Sequence, residues 1–446
     1  MTNPTLVDGL INGIGGTMGG GIFLLVGDLV QQNGGLTYLA FVMGAIMCLL
    51  VAFCYCILSK EYPSKEGTAN YPKKVYKDNK KLQLLINGLI CFGYTTLLCV
   101  YSLSAGNYVG DFMKIPAMKK ILAGAVVALC VLLSYIPPAI MNTVQSAFVY
   151  IKLLVLFAVA VFGIVKKGPE GVVAKDNSIV KALIASLGVF VSFEGFEMNS
   201  GYSTNMENKE INLPISYFVT IIVSAIVYSG LGIAVNKHIG STITNENKGS
   251  ALLDLVKVYG FEKWGPLLIV IINIIANLSA NIATISANSP MIDGYVKDIG
   301  LDKSVLGSKL TLMGTSQSAA LIASCGLAIA LILFGPEELV KNSGSLSFLV
   351  IFTIVCIMTH KTIKDKEERN EPITIMKKPF SYGTCKTISI LGGSLCSLGT
   401  LVLLKDMVSP PAPVGSSPAG SVVAPVELAA PVVQIPSVPT PEITTE

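Results

Sequence analysis

Long apolar segments of about 18 to 25 residues recur along this chain, separated by short polar stretches. An α-helix needs that length to cross the hydrocarbon core of a bilayer. Charged residues make up only 13% of the chain, whereas a soluble domain carries roughly 25%. We therefore expect an all-α polytopic membrane protein. The net charge of +4 gives no reason to expect nucleic acid as a partner.

The apolar segments predict about eleven transmembrane helices. The predicted spans lie near residues 7–31, 36–59, 82–109, 121–140, 147–165, 181–203, 214–235, 265–288, 312–334, 345–360 and 386–404. Cytoplasmic loops carry the excess of lysine and arginine in such proteins. The dense lysine clusters at 60–81 and 361–386 fall on the same side as the N-terminus. We predict a multi-pass protein of the cell membrane with its N-terminus in the cytoplasm.

Two regions set the expected domain limits. Residues 1–408 hold every predicted span and should form one transmembrane domain. Residues 409–446 contain repeated proline and no lysine or arginine. Proline at that density prevents a helix, so we predict a disordered Pro/Ala-rich tail.

Cysteine and histidine give no sign of a metal or cofactor site. The ten cysteines are scattered, mostly inside apolar segments, where they are expected to be small buried hydrophobes. The two histidines, His238 and His360, fall in predicted loops. We therefore expect no metal, no cofactor and no histidine proton relay within the membrane.

Two of the apolar segments are interrupted in their middle. The first break contains six glycines between Gly13 and Phe23, and they fall on every face of a helix. The second break is the stretch from Ser192 to Glu197. A membrane helix opens its backbone only where protein or a polar cavity satisfies the freed groups. Paired interruptions in two halves of a chain are the best sequence indication of a transporter's substrate site.

At these breaks the chain resembles the amino acid–polyamine–organocation transporter superfamily, and in particular its proton-coupled amino acid permeases. Residues 16–23 match its G-x-x-G-x-G-I-F pattern, and residues 193–197 match F-x-G-F-E. The resemblance implies a five-plus-five inverted-repeat fold. Spans 1–5 and 6–10 would be related by a pseudo-two-fold axis in the membrane plane, with spans 1 and 6 discontinuous. The chain departs from the pattern at Glu194, where an apolar residue is common.

The function implied by the resemblance is secondary active transport of amino acids or related organic amines by alternating access. The coupling ion would be a proton. Two alternatives stay open: an amino acid or polyamine exchanger, and a membrane nutrient sensor that keeps the fold without net transport. An enzyme is not expected, because neither a G-x-S-x-G nor an H-E-x-x-H motif occurs.

The breaks supply the candidate substrate site. We predict that backbone N–H groups of residues 17–21 hold a substrate carboxylate and that carbonyl groups of residues 191–194 hold its amine. Glycine spacing in the first break also fits simple helix packing. Neighbouring polar and aromatic side chains that could line the pocket are Tyr94, Tyr101, Asn277, Thr284 and Ser286. The predicted substrate-binding residues are Gly16, Thr17, Met18, Gly19, Gly20, Gly21, Val191, Ser192, Phe193 and Glu194.

Glu194, Glu197 and Lys152 lie well inside predicted spans, where a charge is costly and marks a functional residue by default. If Glu194 is ionised, it should favour a cationic substrate. Glu197 is predicted to belong to a gating network, and the alternative is a structural hydrogen bond to backbone freed by the break. Lys152 either extends to the membrane interface or is an internal cation where sodium-coupled relatives hold Na⁺. The second alternative makes Lys152 the coupling residue.

Overall fold

The computed structural model describes residues 3–174, 178–301, 309–312 and 315–408. Within these residues the chain forms α-helices, joined by short 3₁₀ turns, and two β-hairpins. The helices are α1 (Leu6–Thr17), α2 (Gly20–Asn33), α3 (Thr37–Glu61), α4 (Asn70–Val75), α5 (Lys80–Phe112), α6 (Lys119–Leu133), α7 (Pro138–Val165), α8 (Ile179–Val189), α9 (Lys209–Ile239), α10 (Ala251–Val258), α11 (Gly265–Asp298), α12 (Ala319–Phe334), α13 (Glu337–Glu368) and α14 (Tyr382–Val408). The strands are β1 (Lys309–Leu312), β2 (Thr315–Ser318), β3 (Ile373–Ile375) and β4 (Lys378–Phe380).

Each predicted span corresponds to a helix or to a broken helix, which confirms the all-α polytopic fold. Among the described residues, 8 helical segments are long and apolar enough to cross a membrane. One of these segments, Gly20–Glu61, contains both α2 and α3, which a 3₁₀ turn at Gly34–Leu36 separates. The short helices α1, α8 and α12 belong to predicted spans one, six and nine. The predicted tail at 409–446 lies outside the described residues.

Helix packing has the symmetry expected of inverted repeats. The second span of each half packs against its counterpart (α3 with α9), as do the third spans (α5 with α11) and the fourth (α6 with α12). The fifth span of the first half, α7, packs on α9 and α11. Its counterpart in the second half, α13, packs on α3 and α5. These paired contacts bring the two broken spans together in the centre of the bundle.

The hairpins were not predicted from the apolar pattern. The β1–β2 hairpin occupies residues expected at the start of span nine, so α12 begins at Ala319 instead of near residue 312. The β3–β4 hairpin turns at Met376 and Lys377, whose φ angles of 50° and 64° fit the two-residue turn of a tight hairpin. The side chains of Ile373 and Ile375 are buried, and β3 packs against α3 and α9.

We predict that Gly106→Ala destabilises the bundle at the crossing of α5 and α6. An added Cβ would lie 2.3 Å from the carbonyl oxygen of Lys119, and that backbone cannot move away cheaply. Overpacking of this kind costs roughly 1–3 kcal/mol. Thermal unfolding of the detergent-solubilised protein measures the loss. Gly326→Ala is the matched control, because nothing lies within 4 Å of its added Cβ. Equal unfolding temperatures for the two variants would contradict the close packing of α5 on α6.

Candidate functional site

The break in the first span is short. Helix α1 ends at Thr17 and α2 begins at Gly20, so only Met18 and Gly19 leave helical geometry. The Met18 N–H donates to the Ile14 carbonyl at 3.0 Å and is therefore engaged. Of the N–H groups predicted to bind a carboxylate, those in the first turn of α2 therefore remain as candidates. These N–H groups have no partner within their own helix. The N-cap of α2 is Gly19, which has no side chain to cap them.

The break in the sixth span is longer. Helix α8 ends at Val189, a 3₁₀ turn covers Phe190–Phe193, and a second 3₁₀ segment runs over Phe196–Thr204. Between these turns Gly195 has φ 120°, a conformation that disfavours any side chain. A Cβ there would lie 2.5 Å from the carbonyl carbon of Gly16. The two broken spans therefore cross in direct backbone contact.

Side chains from three other helices satisfy the carbonyl groups at the end of α1. The donors are Lys152 Nζ on α7 to Gly15 at 2.9 Å, Tyr101 OH on α5 to Gly16 at 2.8 Å, and Tyr228 OH on α9 to Thr17 at 3.0 Å. Tyr228 OH also lies 3.1 Å from the Ser192 carbonyl oxygen. Tyr228 therefore joins the two breaks. Tyr101 was a predicted pocket residue, but no pattern in the sequence indicated Tyr228.

Lys152 lies in the middle of α7 and is 0% exposed. Its Nζ donates to the Gly15 carbonyl at 2.9 Å and to Ser279 Oγ on α11 at 3.3 Å. The alternative in which Lys152 extends to the interface is therefore wrong, because the carbonyl end of α1 provides a partner inside the bundle. The ammonium group links α1, α7 and α11.

The glycines of the first break allow close packing of neighbouring residues, a role to which the sequence analysis gave less weight than to an unwound backbone. An added Cβ at Gly19 would lie 2.6 Å from Ala280 Cβ, and one at Gly20 would lie 2.7 Å from Asn277 Oδ1. On the other side of the helix, a Cβ at Gly21 would lie 3.2 Å from Ser192 Cα. Because neighbours approach from several directions, glycines are required on several faces even where the backbone is helical.

The two glutamates of the second break have different hydrogen-bond environments, and Gly195, with its φ of 120°, lies between them. Glu197 accepts a hydrogen bond from the Gly195 N–H at 2.7 Å and one from Tyr94 OH at 3.2 Å. This geometry matches the structural alternative for Glu197, namely a bond to backbone freed by the break. Its gating role stays a prediction.

Glu194 has a different environment. It is 1% exposed, and both of its carboxyl oxygens lack a hydrogen-bond partner in the described structure. The hydroxyl oxygens of Thr17 and Ser192 are also buried and without a partner there. The crossing thus contains one carboxyl and two hydroxyl groups whose hydrogen-bonding capacity is unused.

A cavity of about 950 Å³, called the vestibule below, leads toward the crossing from the side opposite the N-terminus. Its inner end is lined by Gly21 and Val189. Ion pairs line its outer part, including Asp28 with Lys248 at 2.7 Å and Glu337 with Lys341 at 2.5 Å. The vestibule therefore extends into the bundle as far as Gly21 in the first turn of α2.

The N-terminal side of the crossing is closed by polar contacts. Lys73, in the loop after the second span, pairs with Glu66 and with Asp298 at the end of α11, each at 2.7 Å. Burial lowers the pKa of Lys73, but its hydrogen bonds to Asp298 and Glu66 outweigh burial, so that the pKa is raised. Asn199 adds bonds to the Gly9 carbonyl at 2.8 Å and to Asn12 at 2.9 Å. Polar contacts thus join the helices on the N-terminal side, and the vestibule lies on the other side.

Several sequence expectations differ from these positions. His238 is buried in the last turn of α9, with Nε2 2.9 Å from the Gly163 carbonyl oxygen, and His360 lies within α13. Placing both histidines in loops was wrong, because α9 and α13 extend beyond their apolar cores. Ser286 is exposed, whereas the Thr284 hydroxyl donates within its own helix to Ala280. The backbone of Val191 lies in the 3₁₀ turn, but its side chain is outside the described part of the structure.

Residues 9–424 match the family model described as "Amino acid permease". The chain belongs to this family. It is therefore an integral membrane transport protein for amino acids or other small organic solutes, which confirms the superfamily resemblance seen at the two breaks.

Three curated relatives of this permease have low sequence identity to it, and each is named as a transport protein. The inner membrane transport protein YbaT of Escherichia coli is 20% identical, over 78% of this chain and 82% of its own length. The aspartate-proton symporter of Bacillus subtilis is 24% identical, over 51% of this chain and 46% of its own. The cationic amino acid transporter 9, chloroplastic, of Arabidopsis thaliana is 22% identical, over 54% and 46%.

We predict that Tyr228→Phe loosens the crossing. The change leaves the carbonyl groups of Thr17 and Ser192 without this donor, and an unsatisfied buried group costs roughly 1–3 kcal/mol. Thermal unfolding in detergent should show the loss. Tyr259→Phe is the control, because its hydroxyl donates at 3.1 Å to the Val159 carbonyl, which lies within the unbroken helix α7. An equal fall in the unfolding temperature of the two variants would show that the break does not depend on Tyr228.

Proposed function

We propose that this permease is a proton-coupled secondary transporter of amino acids or related organic amines that works by alternating access. The observation that supports this most directly is the crossing of two broken spans in backbone contact at the end of a vestibule. A substrate bound there would touch both inverted repeats, so that rocking one against the other would change the side from which it is reached.

The crossing offers complementary groups to the two ends of an amino acid. The first turn of α2 begins at Gly20 and directs N–H groups and the positive end of the helix dipole toward the break, which suits a carboxylate. Acceptors for an ammonium group are the carboxyl oxygens of Glu194 and the hydroxyl oxygens of Thr17 and Ser192. The Ser192 carbonyl already accepts from Tyr228, so side-chain oxygens supply most of the unused acceptors.

The proposed location is the cell membrane, with the N-terminal side in the cytoplasm. That side carries the lysine clusters, several of whose members form ion pairs. Lys60 pairs with Glu210 at 3.1 Å, and Lys366 pairs with Glu61 at 2.6 Å. An excess of lysine on one side is typical of the cytoplasmic face. The vestibule would then face the cell exterior.

Proton coupling is proposed through Lys152. Its ammonium group holds the carbonyl end of α1 to Ser279 of α11, which is the link that a coupling ion has to make or release. Loss of the proton would weaken this link. Substrate binding and protonation would then raise each other's affinity by the same factor. The name of the Bacillus relative, an aspartate-proton symporter, fits this coupling.

The competing function is a membrane nutrient sensor that binds substrate and moves none. Purified protein in proteoliposomes separates the two, with radiolabelled amino acids outside and an inward proton gradient. A transporter accumulates substrate and loses the accumulation when a protonophore collapses the gradient. Saturable binding without accumulation would contradict transport and support the sensor.

We predict that Gly21→Leu abolishes uptake. An added Cβ would already lie 3.2 Å from Ser192 Cα, and the rest of the leucine side chain would fill the space between α2 and the sixth span. The protein should still insert into the membrane. Gly326→Leu on α12 is the control, because its added Cβ meets nothing within 4 Å. Wild-type uptake by a well-expressed Gly21→Leu protein would contradict the proposed position of the substrate site.

We predict that uptake of a cationic amino acid such as L-lysine is driven by a pH gradient, is indifferent to sodium, and loses its pH dependence in Lys152→Ala. The reason is that Lys152 carries the proton that links α1 to α11. Initial uptake rates across a series of external pH values measure this. Lys167→Ala removes a lysine whose side chain is 89% exposed and should keep the wild-type profile. Strict sodium dependence, or an unchanged profile in Lys152→Ala, would refute the coupling role.

A further inference from the structure

The buried charges at the crossing do not balance. Among the described residues, the buried lysine and carboxylate side chains are Lys152, Glu194 and Glu197, each at most 1% exposed. When all three are ionised they carry one positive and two negative charges. An uncompensated charge in a low-dielectric interior is costly, so a stable state has to neutralise it.

Hydrogen bonding shows where the excess negative charge is located. Lys152 donates to Gly15 and Ser279, and Glu197 accepts from Gly195 and Tyr94. Glu194 accepts from no described group. The group that requires compensation is therefore the Glu194 carboxylate, which lies at the proposed substrate site.

Within the part of the chain that the structure describes, no fixed cation near Glu194 is free to provide that compensation. The ionisable groups that face it are Glu197 on its own segment, the Cys48 thiol on α3, and the phenols of Tyr94 and Tyr101 on α5. Tyr228 of α9 is engaged with backbone carbonyls, and Lys152 of α7 is engaged with α1. On α11 the side chains that contact the α1–α2 break come from Asn277, Ser279 and Ala280, which do not ionise.

We propose that Glu194 makes the site complementary to a ligand of net charge +1. A cationic amino acid or monovalent amine would bring that charge itself. A neutral amino acid would bring that charge only together with one additional proton. The proton would come from the vestibule and add to the Glu194 carboxylate to give the carboxylic acid. An anionic amino acid would need two additional protons. The inference rests on the proposed function, since it names the charge class that the same site accepts.

The proposal has a quantitative consequence for proton uptake. Binding of a neutral ligand should take up about one proton more than binding of a cationic ligand of the same shape, whatever Lys152 contributes to both. By linkage, the affinity for the neutral ligand then falls about tenfold more per pH unit in the range where free Glu194 is ionised. L-Lysine and L-norleucine form the matched pair, because they differ in the terminal ammonium group.

The experiment measures binding to purified protein in nanodiscs by calorimetry at several pH values and in buffers of different ionisation enthalpy. The probes are L-lysine, L-norleucine and L-aspartate. In the wild type, norleucine should take up about one proton more than lysine. In Glu194→Gln this difference should disappear. The affinity for lysine should fall by a factor of about 30 or more, because the buried carboxylate that pairs with the ligand is lost. Glu170→Gln, whose side chain is 94% exposed, should behave as the wild type.

Three results would overturn the proposal while leaving transport intact. They are norleucine binding without the additional proton, a difference that persists in Glu194→Gln, and a preference for aspartate. If none of the probes binds and wild-type proteoliposomes accumulate no amino acid or amine, the proposed function itself fails, and this inference fails with it. Uptake in proteoliposomes therefore distinguishes the two failures.

Discussion

The requirement that every buried backbone polar group find a partner in the membrane determines the centre of this protein. A helix that stops in mid-bilayer leaves carbonyl groups that neither water nor lipid can satisfy. In this permease α1 stops at Thr17, and a lysine and two tyrosines from three other helices donate to its last carbonyls. These donors hold α5, α7 and α9 against the break. Three helices of the surrounding bundle are thus tied to that one helix end.

The same break also supplies the groups on which the proposed function depends. Because α2 restarts at Gly20, donor groups and a helix dipole face the centre of the membrane at the inner end of a vestibule. The unused carboxyl and hydroxyl oxygens of the second break lie beside them. The lysine that satisfies α1 is at once a structural cap and a titratable link to α11. The proposed substrate recognition and the proposed proton coupling would therefore both depend on the backbone that is opened at this break.

Much of the fold follows from the sequence, because span length and the glycine-marked breaks are local properties. The partners of the breaks do not follow. Lys152 is separated from Gly15 by more than a hundred positions, and its burial depends on a carbonyl that only the folded bundle presents. Tyr228 has no local signal at all. The helices of His238 and His360 were missed because hydrophobic length underestimates helices that continue past the apolar core. The β3–β4 hairpin was missed because its turn contains neither glycine nor the usual asparagine.

The central claim is that substrate binds at the crossing of the two broken spans. Cryo-electron microscopy of the protein with a bound amino acid tests it most directly. The account predicts ligand density within hydrogen-bond distance of the first turn of α2 and of the Glu194 carboxyl group. Density located only in the vestibule, between Asp28 and Lys248 and away from the α2 terminus, would contradict it.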